Sequence, residues 1–185
     1  MVKGMEERWI SSGVIILKGN NWERIVHTFP PIYDSNTKVL LLGTAPSVKS
    51  RENKFYYGHP QNRFWRVLAQ VVEDKLPETI DEKIAFLRKH GIGIYDVIES
   101  CDIIGSSDTS IKNVTPVDLA PILEITGRIP IFGNGATAAQ LYGKHLESAT
   151  GISITKLPST SPANAAWRLE KLVSVWSEAI LSYLD

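Results

Sequence analysis

Apolar residues along the chain fall into short uniform runs, separated by longer stretches in which they recur every three or four positions. Val39–Gly43 (VLLLG) is apolar throughout, the pattern of a strand covered on both faces. Gly91–Val97, Ile129–Phe132 and Ile152–Leu157 are predicted as further strands, the last with more alternation than the others. Helix punctuation lies between them. Thr79 with Glu82 makes a capping box, and Arg88, Lys89 and His90 before Gly91 mark a helix C-terminus. Thr115-Pro116 followed by Asp118 reads as the start of a helix that stops near Gly127. Gly135–Leu146 is alanine-rich and helical, and Phe64, Trp65, Val67 and Leu68 begin an amphipathic helix. Ser161-Pro162 opens the last helix, in which Leu169, Leu172, Val173, Trp176, Ile180 and Leu181 share one face.

This alternation of strand and helix predicts an α/β fold: a three-layer α/β/α sandwich around a central, mainly parallel four-stranded sheet. Residues 1–38 read differently. The apolar run Val14–Leu17, the turn signal Gly19-Asn20-Asn21 and Pro30-Pro31 suggest a hairpin or irregular arm leading into a single domain, 1–185. In open α/β sheets ligands bind outside the carboxyl ends of the strands. That rule selects Gly43–Ser50, the segment from Asp96 onward, and Leu157–Asn164.

Composition narrows the classes. The 185 residues are 43% apolar and 22% charged, as in an ordinary globular domain. No apolar run reaches the ~20 residues of a membrane helix, and the N-terminus lacks a charged-then-apolar leader. A cytoplasmic protein with no membrane contact is therefore expected. Cys101 is the sole cysteine, which excludes an internal disulfide and agrees with a reducing compartment. His27, His59, His90 and His145 are scattered without ligand spacing, so neither metal nor cofactor is expected. A net charge of zero argues against coating nucleic acid by bulk electrostatics. One local basic stretch remains, where Lys49, Arg51, Lys54, Arg63 and Arg66 face Glu52 alone.

Candidate chemistry gathers in and beside that stretch. Gly43-Thr44-Ala45-Pro46-Ser47-Val48-Lys49-Ser50 follows the first buried strand, and its glycine, hydroxyls and amides suit close approach to a phosphate. It lacks the second glycine and the Gly-Lys-Ser/Thr ending of a nucleotide P-loop. Next come Tyr56-Tyr57-Gly58-His59-Pro60-Gln61-Asn62-Arg63-Phe64-Trp65 and, near the end, Leu157-Pro158-Ser159-Thr160-Ser161-Pro162-Ala163-Asn164. The first of these resembles the His-Pro-x-Asn-Arg-Phe-Trp signature of the mismatch-specific branch of the uracil-DNA glycosylase superfamily. The three segments together look closest to its hypoxanthine-DNA glycosylase branch. The resemblance spans about residues 25–183.

What the resemblance implies is hydrolytic removal of a deaminated base, hypoxanthine, from double- or single-stranded DNA by a monomer. The superfamily's first motif usually carries Asp or Asn before its proline; here Ala45 stands there, and a methyl group cannot orient water. Its last motif often opens with His or Asn, and here that position is Leu157. The catalytic amide implied by the hypoxanthine branch is Asn62, whose carboxamide can both accept from and donate to a water. Its structural alternative is a cap on the helix entered at Phe64. Tyr57 lies where related enzymes stack a ring on the flipped base, and Ala45 leaves room for a purine. Asp96 falls where the superfamily reads the Watson–Crick edge. A carboxylate accepts only and hypoxanthine N1–H donates; the alternative is a helix cap or an ion-pair partner. Ser47, Lys49, Ser50, His59, Ser159, Thr160 and Ser161 are the implied DNA contacts. Pro158–Ala163 resembles the loop that enters the minor groove. No Lys is placed as a Schiff-base nucleophile, so the expected enzyme is monofunctional. Two other readings stay open: a mismatch-specific uracil glycosylase, and a non-catalytic module recognising damaged DNA, which the residues at 45 and 157 favour.

Overall fold

The computed structural model describes residues 9–10, 14–16, 22–105 and 107–185; the Gly19-Asn20-Asn21 turn signal lies outside them. β1 (Trp9–Ile10), β2 (Val14–Ile16) and β3 (Glu23–Val26) precede β4 (Val39–Gly43), the uniformly apolar run. Next come α1 (Val48–Asn53), α2 (Phe64–Val71) and α3 (Ile80–Lys89), then β5 (Ile92–Asp96), β6 (Ile98–Ile103) and β7 (Lys112–Pro116). The remainder alternates: α4 (Ala120–Thr126), β8 (Ile131–Asn134), α5 (Ala136–His145), α6 (Glu147–Thr150), β9 (Ile154–Leu157) and α7 (Leu169–Leu184).

β5, β4, β8 and β9 pair in that spatial order as a fully parallel sheet. Side chains alternate across a strand, so Val39 and Leu41 enter one core while Leu40 and Leu42 enter another. Phe64, Val67 and Leu68 of α2, Phe86 and Leu87 of α3, and Leu172, Trp176 and Ile180 of α7 fill the first. Ile122 of α4 with Ala138 and Tyr142 of α5 fill the second. This is the three-layer sandwich read from the strand and helix pattern. β4 sits between β5 and β8, so the chain departs to opposite sides of it, and a crevice opens beyond its carboxyl end.

A second sheet, antiparallel and ordered β1-β2-β3-β6-β7, was not foreseen beyond the N-terminal hairpin. β6 begins one residue after β5 ends, so the two sheets are sewn together at that point. The Val97 N–H donates to Gly43 O at 2.9 Å and the Ile98 N–H to Thr44 O at 3.1 Å. Ile25, Ile98, Cys101 and Ile103 form a small core of their own under this sheet. No helix among the described residues is long and apolar enough to cross a membrane.

Three boundaries differ from the sequence reading. Thr115 and Pro116 do not open a helix; they lie in β7, opposite Ser100 and Ile98. Ladder pairing outweighs the local cap signal, and proline is tolerated at a strand end where no donor is needed. The helix starts at Ala120 with Pro121 in its first turn, and Gly127 stops it as expected. The third strand of the sheet is shifted to Ile131–Asn134, since Pro130 has no N–H and offers only its carbonyl, to Leu40 N at 2.9 Å. Ser161-Pro162 lies in turns rather than opening the last helix, which begins at Leu169. The Ser161 and Asn164 carbonyls face the Arg63 guanidinium, and a helix would have claimed them for its own ladder.

Trp176 is wholly buried, meets Phe64 edge-on, and donates from Nε1 to Pro158 O at 3.0 Å. Trp176→Ala is expected to cost about 3–5 kcal/mol of stability, measured by urea unfolding.

Candidate functional site

A cleft of about 380 Å³ opens where β4, β5 and β8 end, lined by the loop after β4, Tyr57, Asn62, Asp96, Asn134 and the loop after β9. Its floor is Asp96, the last residue of β5, only 4% exposed. Gly43 at the end of β4 makes that position possible. A Cβ there would stand 2.2 Å from Asp96 Oδ1 and 3.1 Å from the Tyr57 hydroxyl. Asp96 Oδ2 meets His27 Nε2 at 2.9 Å, and the His27 side chain is sealed to 2% exposure. His27 thus holds one Asp96 carboxylate oxygen by a hydrogen bond, and the other lies towards Gly43 and Tyr57.

Tyr57 adopts φ +52°, a left-handed conformation rare for a bulky residue and a mark of a site held by its surroundings. One face of its ring stacks on Phe64, with centroids 3.7 Å apart and planes 16° apart. Its hydroxyl is buried, without a partner at hydrogen-bond geometry among the described residues. Burial raises its pKa, the Asp96 charge adds to the rise, and the neighbouring Asn134 side chain lowers it.

Asn62 lies just before α2. Its Oδ1 accepts from Phe64 N at 3.0 Å and from the Thr160 hydroxyl at 2.9 Å. A backbone N–H can only donate, so the orientation of the amide is fixed. Asn62 thus satisfies the first amide of α2 from one position outside the N-cap, which is Arg63, and the oxygen expected to accept from water is already filled. The group left over is the NH2. Thr160 completes a knot: its N–H donates to Asn134 Oδ1 at 2.9 Å and its hydroxyl accepts from Asn134 Nδ2 at 2.9 Å. It is fully buried, so the expected Thr160 contact with DNA is not available to it.

Arg63 fixes the loop above this knot. Its guanidinium donates to the carbonyls of Thr160 at 3.2 Å and Asn164 at 3.1 Å, and also to those of Ser161 and Trp167. Carbonyl dipoles rather than a carboxylate balance the charge.

The remaining expected residues are brought together on the rims. Ser47 caps α1 and its Oγ lies 3.1 Å from that of Ser50. Ser50 is buried and accepts from Gly58 N at 3.1 Å, so it ties α1 to the loop that follows rather than presenting a free hydroxyl to DNA. Lys49 is exposed and pairs with Glu52 at 2.6 Å. His59 Nδ1 accepts from Gln61 N at 3.2 Å. Ser159 and Ser161 accept from loop amides, which leaves each hydroxyl hydrogen free to donate. Ala45 borders the cleft and packs on the small third core.

Three participants, His27, Asn134 and Asp108, had no functional signal along the chain, and the role of a fourth, Arg63, had none. His27 is separated from Asp96 by 69 positions. Asn134 ends a strand whose predicted bounds stopped two residues short. Asp108 follows β6 and reaches the cleft mouth, where crowding by protein raises its pKa, a Thr137 contact lowers it and the Asp96 charge adds to the rise. Arg63 stood in the motif, but its four carbonyl partners could not be read there. Among the described residues no group of three or more His, Cys, Asp or Glu is arranged to hold a metal ion.

An α/β/α sandwich with an aromatic and a carboxylate in a cleft at the switch point is an arrangement suited to a flat, polar ring. Residues 30–180 match the model of the uracil DNA glycosylase superfamily, and the chain belongs to that family. It is similar to a protein named hypoxanthine DNA glycosylase from Methanosarcina barkeri, with 33% identity over 82% of this chain and 95% of the other. A protein of the same name from Methanosarcina acetivorans is 31% identical over 74% of this chain and 86% of its own length. A solution NMR structure of a candidate uracil DNA glycosylase from M. acetivorans superposes with a TM-score of 0.68 at 30% identity, covering 81% of this chain and 95% of that one.

Gly43→Ala should displace the Asp96 carboxylate and slow base release about a hundredfold, read in single-turnover assays. Arg63→Lys puts a point charge in place of a fork, and is expected to speed amide hydrogen exchange across residues 159–168 while α5 stays protected.

Proposed function

We propose that the protein hydrolyses the N-glycosidic bond of deoxyinosine in DNA, releasing hypoxanthine and leaving an abasic site. The observation that carries this reading is an acceptor-only carboxylate, Asp96, in the same cleft as the ring of Tyr57, whose far side Phe64 backs. A flipped base stacked on Tyr57 gains about 1–3 kcal/mol and turns its edge to Asp96. Hypoxanthine presents N1–H there, whereas adenine presents a bare lone pair to a negative oxygen. The half-buried methyl of Ala45 leaves space for the second ring of a purine. The names of the two relatives point the same way.

Asn62 offers its NH2 to the attacking water and orients it near C1′ without taking its proton, which ends on the departed base anion through solvent. Such weak assistance suits a bond that breaks ahead of attack, giving an oxocarbenium-like sugar and an anionic base. Donors around the departing base then matter most, and backbone amides beside Ala45 supply them. Ser47, Lys49 and His59 on one rim, with Ser159 and Ser161 on the other, hold the flanking phosphates. The small polar tip of Pro158–Ala163 makes a poor wedge, so weakly paired or single-stranded inosine is preferred. The protein acts as a monomer inside the cell and uses neither cofactor nor metal. Uracil also brings an N–H, at N3, to Asp96, which keeps mismatch-specific uracil excision as a second reading.

Duplexes carrying deoxyinosine, deoxyuridine or xanthine, followed by alkaline cleavage of abasic sites, test the proposal. Wild type should act fastest on deoxyinosine, and Asn62→Ala should lose at least about a hundredfold. Release of no base turns the reading to a binding module. Equal rates in the variant remove Asn62 from its role, and faster uracil release promotes the second reading.

A further inference from the structure

His27 lies outside the residues that match the family, which begin at position 30. It is delivered by the antiparallel sheet. β3 pairs with β6 from Glu23 opposite Ile103 to Val26 opposite Ser100, and the ladder ends with His27 N–H donating to Glu99 O at 2.7 Å. β6 itself starts beside Asp96, so this pairing carries the imidazole to the floor of the cleft. There the ring is walled by Phe29, Tyr95 and Tyr56, at centroid distances of 4.4, 5.1 and 5.8 Å. Nε2 meets Asp96 Oδ2 at 2.9 Å, whereas Nδ1 is buried and has no hydrogen-bond partner among the described residues. A proton on Nδ1 would have nothing to donate to, so the ring proton belongs on Nε2, towards the carboxylate.

We infer that His27 is a positioning residue for base recognition, and that the N-terminal antiparallel sheet exists in part to supply it. By holding Oδ2, His27 fixes the carboxylate plane and leaves Oδ1 as the single acceptor for the N–H of the flipped base. Without that donor, Asp96 is a nearly buried charge free to turn about its side-chain bonds, and the base must both orient and neutralise it. The inference rests on the reading of Asp96 given above. His27 touches neither base nor water in this scheme and acts only through Asp96.

The test compares His27→Met, which keeps the volume and removes the donor, with His27→Gln, whose amide can place an N–H near the Nε2 position. In single-turnover excision from deoxyinosine, His27→Met should be slower by about ten- to a hundredfold, the worth of one charge-assisted hydrogen bond. His27→Gln should recover most of the rate, although both variants lose the same ring packing. In an Asp96→Asn background, His27→Met should add little further loss, because two residues acting through one contact are not additive. Full activity in His27→Met, no rescue by Gln, or losses that multiply in the double variant would overturn the inference. If wild type releases no base, the substrate reading falls instead. The pairing is then decided by imidazole 15N shifts, where a proton on Nε2 upholds it and one on Nδ1 overturns it.

Discussion

A carboxylate lodged against the backbone of a central strand is the constraint around which this molecule is arranged. Asp96 is almost without solvent, and a charge so placed needs a partner with good geometry or it destabilises the fold. The partner is His27, and bringing it there takes a whole antiparallel ladder. Space for the carboxylate comes from Gly43, which has no side chain to collide with it. Tyr57 then fits beside both, in a backbone conformation that an isolated peptide would seldom adopt.

The second structural theme is the stitching of loops. Asn62 and Thr160 come from two loops and Asn134 from the end of β8, and they are joined by hydrogen bonds near 2.9 Å. Arg63 adds the carbonyls of residues 160–167 to the same assembly. Loops normally carry the mobility of a domain, yet here the polar groups of the loops are spent on each other. A cleft built this way is pre-formed, so less ordering entropy is lost when a nucleotide enters. The same saturation has a chemical consequence. Asn62 is a poor proton acceptor, because its amide oxygen already accepts two hydrogen bonds, and neither Ala45 nor Leu157 carries a group that could take a proton. On the proposed reading, rate enhancement comes from holding charge as it develops on sugar and base rather than from a strong nucleophile.

Reading the chain as a sequence settled the periodic and the local. The apolar run of β4, the capping box at Thr79, the glycine stops at 91 and 127 and the apolar face of α7 follow from side chains a few positions apart, and they specify a parallel sheet between helices. The motif around Asn62 was legible for the same reason, because its chemistry is packed into consecutive residues. What the tertiary structure alone decided is everything that depends on long separations: the second sheet, the His27 partner of Asp96, the burial of Thr160, and the start of the last helix at Leu169 instead of Ser161. Local signals at Thr115-Pro116 and Ser161-Pro162 were genuine helix-start patterns, but a β-ladder and a guanidinium claimed the same backbone groups. Each backbone donor and acceptor bonds only a limited number of partners, and only the folded chain determines which competitor is near enough to win.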